Sequence, residues 1–144
     1  MHRALAETVA LFEAGLARCA RPEDRSLVSD YLSALAPILA AATLGENVVA
    51  RLDSVERLFG NTWLIDDAPF RPALEKWREF RSEYEPWVFS GMTVNERLCA
   101  LGLMDEYDHA IRSRDRARLR SILERVRVDA ASIDRILDSS LGDA

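Results

Sequence analysis

The first residues with the means to do chemistry are Asp105 and His109, which lie four positions apart in a helical pattern. A carboxylate beside an imidazole can act as a general acid–base pair. The same spacing more often produces an exposed ion pair across one helical turn, which is the interpretation we favour. The sequence contains no GxSxG, HExxH or glycine-rich phosphate loop. It therefore names no catalytic residue, and an enzyme is the least favoured class of protein.

Asp66 and Asp67 are candidate metal ligands, because carboxylates bind divalent cations. Adjacent side chains point apart, however, and no further ligand stands at a recognisable spacing. We therefore predict no metal site and no cofactor. In the simpler interpretation, Asp67 caps a helix that begins near Phe70, and Asp66 faces water.

The two cysteines, Cys19 and Cys99, lack the CxxC spacing of a zinc or redox site. Both fall within apolar helical patterns. We expect both thiols to be buried and reduced, as they would be in the cytosol.

Trp63 stands near Asp66 and Asp67 in the loop over residues 60–69. Burial of its ring in the core is the favoured expectation, because an exposed indole is costly. The alternative is a contact residue for a basic partner protein, since aromatic and acidic groups together suit such an interface. The candidate partner-binding residues are Trp63, Asp66, Asp67, Glu75 and Glu79.

An arginine-rich helix near residues 114–127 is the second candidate site. Its basic residues form two rows that flank an apolar seam, so their stems could lie along the seam or their guanidinium groups could grip phosphates. Nearby acidic residues would screen much of this charge. The candidate nucleic-acid-binding residues are Arg114, Arg116, Arg118, Arg120 and Arg127.

The elements that position these residues are helical almost everywhere, since apolar residues recur every three or four positions. Thr93 and Glu96 predict a capping box, and Asp129 predicts the cap of the last helix. Pro37 should kink or end the second helix, and Pro86 should end the fourth. The fold prediction is an all-α, compact bundle or array of about seven to eight helices.

The helices fall into two groups, an N-terminal group over residues 1–88 and a small module over residues 92–144. We expect the second to pack on the first as one structural unit, because about 50 residues form a small core. The strings MTVNERL (92–98) and GLMDEYD (102–108) resemble a group of small uncharacterised bacterial proteins with an MTVNERL…GLxDEFD pattern. This resemblance covers about the last 50 residues and implies a bacterial origin and a compact helical module, without an activity.

Length and composition exclude several classes of protein. The chain has 144 residues, 49% hydrophobic and 30% charged, which excludes a disordered chain or a large multidomain machine. Its net charge of −5 argues against coating of nucleic acid or anionic lipid by the whole surface. Glu7 and Glu13 interrupt any signal-peptide core, and no apolar run approaches the ~18 residues of a membrane span. We expect a cytoplasmic protein without a membrane partner.

The leading functional hypothesis is a non-enzymatic bacterial protein-binding module, of the immunity or antitoxin type, that inhibits a basic partner protein. The second is a nucleic-acid-binding regulator that uses the arginine-rich helix. The third is a small-molecule-binding protein or enzyme with a pocket between the two helical groups. A homodimer is compatible with the sequence, although no exposed heptad pattern argues for one.

Overall fold

The computed structural model describes residues 2–142, which form eight α-helices, one short 3-10 helix and no strand. The all-α prediction is therefore confirmed. The α-helices are α1 (His2–Arg18), α2 (Pro22–Thr43), α3 (Val49–Gly60), α4 (Arg71–Phe89), α5 (Val94–Ala100), α6 (Met104–Arg112), α7 (Arg116–Arg125) and α8 (Ala130–Leu141). The 3-10 helix covers Ala68–Phe70. The chain divides into two compact units, Met1–Val88 and Phe89–Ala144.

Aromatic rings form the core of the first unit. The buried ring of Phe12 lies 5.8 Å from both Tyr31 and Phe59, measured between centroids, so one side chain of α1 joins α2 to α3. Phe59 in turn meets Trp77 edge-to-face at 5.4 Å. Such aromatic pairs add to the stabilisation from area burial. The chain of rings therefore links helices α1 to α4.

A close approach between α1 and the 3-10 helix depends on Gly15. A Cβ at this position would lie 2.5 Å from Cδ1 of Phe70 and 2.7 Å from the carbonyl oxygen of Pro69. Arg18 supports the same contact by donating to the Pro69 carbonyl at 3.3 Å. The absent side chain of Gly15 thus lets Phe70 pack against the helix.

Two prolines lie inside helices instead of ending them. α2 continues through Pro37 to Thr43, and α4 continues through Pro86 to Phe89. The sequence-based prediction that Pro86 stops α4 is wrong, and of the two alternatives for Pro37, a kink or an early end, the structure contradicts the early end. Each proline removes one hydrogen bond to the carbonyl four residues earlier. Those carbonyls belong to Ser33 and Ser82. Both serines and both prolines are exposed, so water can reach the helix surface where each hydrogen bond is missing.

The second unit contains helices α5 to α8 around an aliphatic core. α6 packs against α5 and α7, and α7 packs against α8. The buried residues of this aliphatic core are Leu98, Ala110, Leu119, Ile122, Leu123, Val126, Ile133, Leu137 and Leu141. The seam predicted for the arginine-rich helix is therefore a core-facing stripe.

Local capping signals define where the helices of this unit begin. Thr93 and Glu96 form the predicted capping box, with Thr93 N donating to Glu96 Oε2 at 2.7 Å. Asp115 caps α7 through the amide of Arg118, and Asp129 caps α8 through the amide of Ser132. The capping box at Thr93 and the cap at Asp129, both predicted from the sequence, are confirmed.

Arg97 joins α5 to the segment that follows α7 in the second unit. Its guanidinium donates to the carbonyl oxygens of Val126 and Arg127, at 3.2 and 3.0 Å, just after α7. It also lies 5.6 Å from the ring centre of Phe89. A cation at these carbonyls complements the negative end of the α7 dipole.

The cysteines differ in exposure. Cys19 is buried, as expected, but Cys99 is exposed, so the prediction that both thiols are buried is wrong. Cys99 follows the buried Leu98 directly on α5, and neighbouring positions on a helix point about 100° apart.

Helix α2 is long and apolar enough to cross a membrane when judged by length and composition alone. The sequence-based expectation concerned uninterrupted apolar runs, and Ser29, Asp30 and Ser33 interrupt the apolar residues of this helix. The core helix of a water-soluble protein passes the same test, and α2 buries Val28, Tyr31, Leu35 and Ile38. The absence of a membrane partner stays a prediction.

Candidate partner-binding site

The loop over residues 61–67, here called the Trp63 loop, is held in place by a buried carboxylate on α2. Asp24 is 1% exposed and uses both of its oxygens. Oδ1 accepts from the amide of Ile65 at 2.7 Å, and Oδ2 accepts from the amide of Asp66 at 3.0 Å. Two adjacent amides bound by one carboxylate fix the backbone orientation in the middle of the loop.

A second attachment holds the start of the Trp63 loop. The hydroxyl groups of Tyr31 and Thr62 lie 2.7 Å apart, and Thr62 also donates to the carbonyl of Leu58 at 2.5 Å. Burial raises the pKa of the Tyr31 phenol, and the nearby negative charge of Asp24 raises it further, against the hydrogen bond with Thr62. Tyr31 therefore stays neutral at physiological pH and supports the loop as a hydrogen-bonding group.

Asp66 and Asp67, at the end of the Trp63 loop, make contacts that differ from those predicted from the sequence. The side chain of Asp66 accepts from the amide of Ala68 at 3.1 Å, whereas Asp67 makes no side-chain cap and pairs with Arg71 at 3.1 Å. The expectation that Asp67 caps the helix and Asp66 only faces water is wrong. The main-chain carbonyl of Asp67 accepts from the amide of Phe70 at 2.8 Å, whereas its carboxylate pairs with Arg71.

The held loop presents apolar side chains to solvent. Trp63 is 80% exposed and Ile65 is 60% exposed. The favoured prediction that Trp63 anchors the core is therefore wrong, and the alternative of an outward-facing ring is what the structure shows. Trp77, by contrast, is buried and donates its indole N–H to Glu56 Oε2 at 2.7 Å.

A pocket of about 230 Å³ opens beside Trp63. Its walls come from α2, α3, the Trp63 loop and α4, and aromatic residues and Leu74 make up much of them. The lining residues are Tyr31, Phe59, Thr62, Trp63, Leu64, Ile65, Asp67 and Leu74. The structure therefore brings Trp63 and Asp67 to one concave surface.

Glu75 and Glu79 are exposed on α4 but do not line this pocket. Glu79 pairs with Lys76 at 3.1 Å, and Lys76 also reaches Glu7 on α1 at 3.2 Å. These hydrogen bonds raise the pKa of Lys76, and those from Arg3 and Lys76 lower the pKa of Glu7. Glu79 thus belongs to a cluster with α1, apart from the loop residues.

The arginines of the second candidate site form ion pairs within their own unit. Arg116 pairs with Asp138 at 2.8 Å and Arg120 with Asp134 at 2.7 Å, both on α8, while Arg118 pairs with Glu106 on α6. Three of the five candidate guanidinium groups therefore already have carboxylate partners.

The other two candidate arginines follow helix ends. Arg114 and Arg127 have left-handed backbones, with φ of 55° and 58°. The amide of Asp115 reaches back to the carbonyl of Ala110 at 2.9 Å, which is the hydrogen bond of a Schellman helix end. These two arginines mark the ends of α6 and α7.

The remaining chemical candidates are not assembled into a site. Asp105 and His109 are both exposed, and in the described structure no hydrogen bond or ion pair joins them. Within residues 2–142, no group of three or more His, Cys, Asp or Glu residues is placed to hold a metal ion.

The amino-acid sequence did not identify two residues of this site, Asp24 and Ile65. Asp24 looks like an ordinary acidic residue in the first turn of a helix, and its role depends on a contact 41 positions away. Ile65 could have been suspected, because it is an apolar residue in a loop without helical periodicity.

Comparison of the chain with protein-family models, curated proteins and solved structures gives no match.

Proposed function

We propose that this chain is a protein-binding module that contacts a basic partner through the surface formed by Trp63, Ile65, Asp66 and Asp67, here called the Trp63 surface. The observation that carries the proposal is the exposure of Trp63 on a loop that Asp24 holds rigidly. A solvent-exposed indole and isoleucine side by side are unfavourable in isolation, and burial against a partner recovers about 25 cal/mol per Å².

Rigidity of the loop favours binding. A flexible loop loses conformational entropy when a partner immobilises it, whereas a loop that is already ordered does not. Tryptophan is also the residue type most enriched among residues that dominate binding energy. The two hydrogen bonds that Asp24 accepts from the loop amides therefore support a contact surface with a low ordering cost.

Charge indicates the kind of partner. Asp66 and Asp67 flank the apolar residues, Arg71 offsets one of their charges, and the whole chain carries a net charge of −5. Complementary charge accelerates association and selects against acidic partners. A basic protein fits this surface, and an immunity- or antitoxin-type inhibitor is the class of binding module that we propose.

The test is affinity purification of the tagged full chain from a lysate of the source cells, after nuclease treatment. We expect one basic protein to be retained at comparable stoichiometry and Trp63→Ala to reduce its retention at least tenfold. Trp87→Ala is the matched control, because Trp87 is also exposed, at 61%, but lies far along α4 from the loop. Equal retention by wild type and Trp63→Ala would refute the proposed surface.

The charge component is tested separately with the double variant Asp66→Asn, Asp67→Asn. Asparagine keeps a side-chain oxygen that can accept the Ala68 amide. We expect a slower association rate at low salt and a smaller loss of rate as salt is added. An association rate that is unchanged at low salt would show that these carboxylates do not attract the partner.

A further inference from the structure

The pocket beside Trp63 has the size of a single side chain. Its volume of about 230 Å³ falls below the roughly 300–1,000 Å³ of sites that enclose drug-sized ligands. It also opens on the exposed surface that includes Trp63 and Ile65. A residue that projects from a partner protein is therefore a better match in size than a free cofactor.

The lining favours an occupant with an apolar stem and a positive end. The rings of Tyr31, Phe59 and Trp63, together with Leu74, provide apolar and aromatic walls. Asp67 is the one charged residue among the lining residues that the structure describes. Aromatic faces attract cations, and arginine is the cation that most often stacks on them.

A second carboxylate, that of Asp24, lies close to the pocket lining. Asp24 is buried behind the Trp63 loop, where it accepts two amide hydrogen bonds, and no basic side chain within residues 2–142 pairs with it. Its charge reaches Tyr31, which lines the pocket, and contributes to the raised pKa of that phenol after the larger effect of burial. Arg71 contacts Oδ1 of Asp67 from a side chain that is 64% exposed. Solvent screens such an exposed cation strongly.

We propose that this pocket receives an arginine side chain of the partner protein, with the stem against Phe59 and Leu74 and the guanidinium at Asp67. This inference rests on the proposed function and adds the identity of the side chain that the Trp63 surface recognises. A guanidinium can pair with a carboxylate through two parallel hydrogen bonds and stack on an indole at the same time, which an ammonium group cannot do.

The probe is a blocked five-residue peptide, acetyl-Ala-Ala-Arg-Ala-Ala-amide, titrated into the full chain and followed by NMR. The control peptide carries citrulline, which has the same shape as arginine without the charge. We expect the arginine peptide to shift the Trp63 indole resonance and the Thr62 and Ile65 amides, and to bind at least tenfold more tightly than the citrulline peptide. Equal binding of the two peptides, or no shift at millimolar arginine peptide, would overturn the inference.

Two variants locate the binding. Leu74→Phe should fill the pocket and weaken arginine-peptide binding at least tenfold, while Asp67→Asn should weaken it several-fold. Glu75→Gln is the control, because it removes a carboxylate from the neighbouring position on α4 that does not line the pocket. Circular dichroism and thermal unfolding establish that each variant is folded. If Glu75→Gln weakens binding as much as Asp67→Asn, the carboxylate at the pocket is not what recognises the probe.

Partner retention separates this inference from the proposed function. If Trp63→Ala loses the partner and folded Leu74→Phe retains it, the Trp63 surface stands and the arginine pocket is wrong. If Trp63→Ala retains the partner, the proposed function fails, and the peptide titration alone then decides whether the pocket binds arginine.

Discussion

Asp24 and Ile65 are joined by a 2.7 Å hydrogen bond that runs from the amide of the loop residue to a buried carboxylate on α2. The second oxygen of the same carboxylate binds the next amide, that of Asp66, at 3.0 Å. A carboxylate that accepts two amide hydrogen bonds in the interior is worth more than a neutral acceptor, because bonds to charged groups are stronger. The orientation of Trp63, which lies between the two attachments of the loop, depends on this contact.

We predict that Asp24→Asn destabilises the protein by about 2–3 kcal/mol, because an amide has one acceptor oxygen and would turn its own donors toward a loop amide. Urea unfolding followed by circular dichroism measures the change. Asp30→Asn on the same helix is the control, since Asp30 is exposed and the change should stay within about 0.5 kcal/mol. An equal effect of the two substitutions would contradict the role of Asp24.

The close approach at Gly15 gives a second prediction. Gly15→Ala should destabilise the protein by about 1–3 kcal/mol, since the new Cβ would clash with the ring of Phe70 and with a main-chain oxygen. Gly60→Ala is the matched control, because nothing lies within 4 Å of its Cβ position at the end of α3. That substitution should be neutral or stabilise by up to about 1 kcal/mol. The unfolding temperature should therefore fall in Gly15→Ala and stay equal or rise in Gly60→Ala.

The tryptophans provide a third prediction. Trp77→Ala should cost about 3–5 kcal/mol, because it empties a buried site and leaves Glu56 without its indole donor. Trp63→Ala should change the free energy of unfolding by less than about 0.5 kcal/mol, because the ring is largely exposed. Urea titrations of both variants measure the difference. A large loss of stability in Trp63→Ala would mean that its ring supports the fold and would remove the reason to assign it to a partner.

A fourth prediction concerns the left-handed residue after α6. Arg114→Gly should stabilise the protein by up to about 1 kcal/mol, because glycine adopts a φ of 55° without the steric cost that a side chain carries. Arg112→Gly, at the last residue of α6, should destabilise it by up to about 1 kcal/mol. Differential scanning calorimetry distinguishes the two. A lower unfolding temperature for Arg114→Gly would show that the arginine side chain holds this helix end.

The capping box gives a fifth prediction, on pH. Hydrogen bonds from the amide and the hydroxyl of Thr93 hold the pKa of Glu96 below its ordinary value of 4.5. Folding therefore favours the ionised carboxylate, so its contribution is complete above about pH 4.5 and is lost as the pH falls through the lower folded pKa.

Glu96→Gln tests this dependence, because glutamine preserves the box and cannot titrate. Below pH 4.5 the urea midpoint of the wild type should fall more steeply than that of the variant. Parallel pH profiles would show that the charge of Glu96 does not contribute.

Features encoded by neighbouring residues could be predicted from the sequence. The capping box at Thr93 and the cap at Asp129 depend on contacts within a few positions, and the apolar stripe of α7 is a spacing pattern within one helix. The same local reasoning was wrong about an early end of α2 at Pro37 and about the end of α4 at Pro86, since both helices continue despite one lost hydrogen bond.

The candidate site was only partly accessible to prediction. Trp63 and its acidic neighbours were identified as a group, but their orientation follows from Asp24, which no local pattern connects to residue 65. For the arginine-rich helix, carboxylates near in sequence were expected to screen the charge. Asp134 and Asp138, which do so for Arg120 and Arg116, lie on α8, 14 and 22 positions further along the chain.

The sequence separation between Asp24 and Ile65 bears on when their contact forms during folding. The carboxylate is synthesised 41 positions before the amide that it binds, so closing this contact requires a long segment of chain to become ordered. Contacts of such high sequence separation form late, because their loop-closure entropy must first be offset by packing nearby. The apolar side chains of the Trp63 loop should therefore reach their final arrangement only after α2 and α3 have packed.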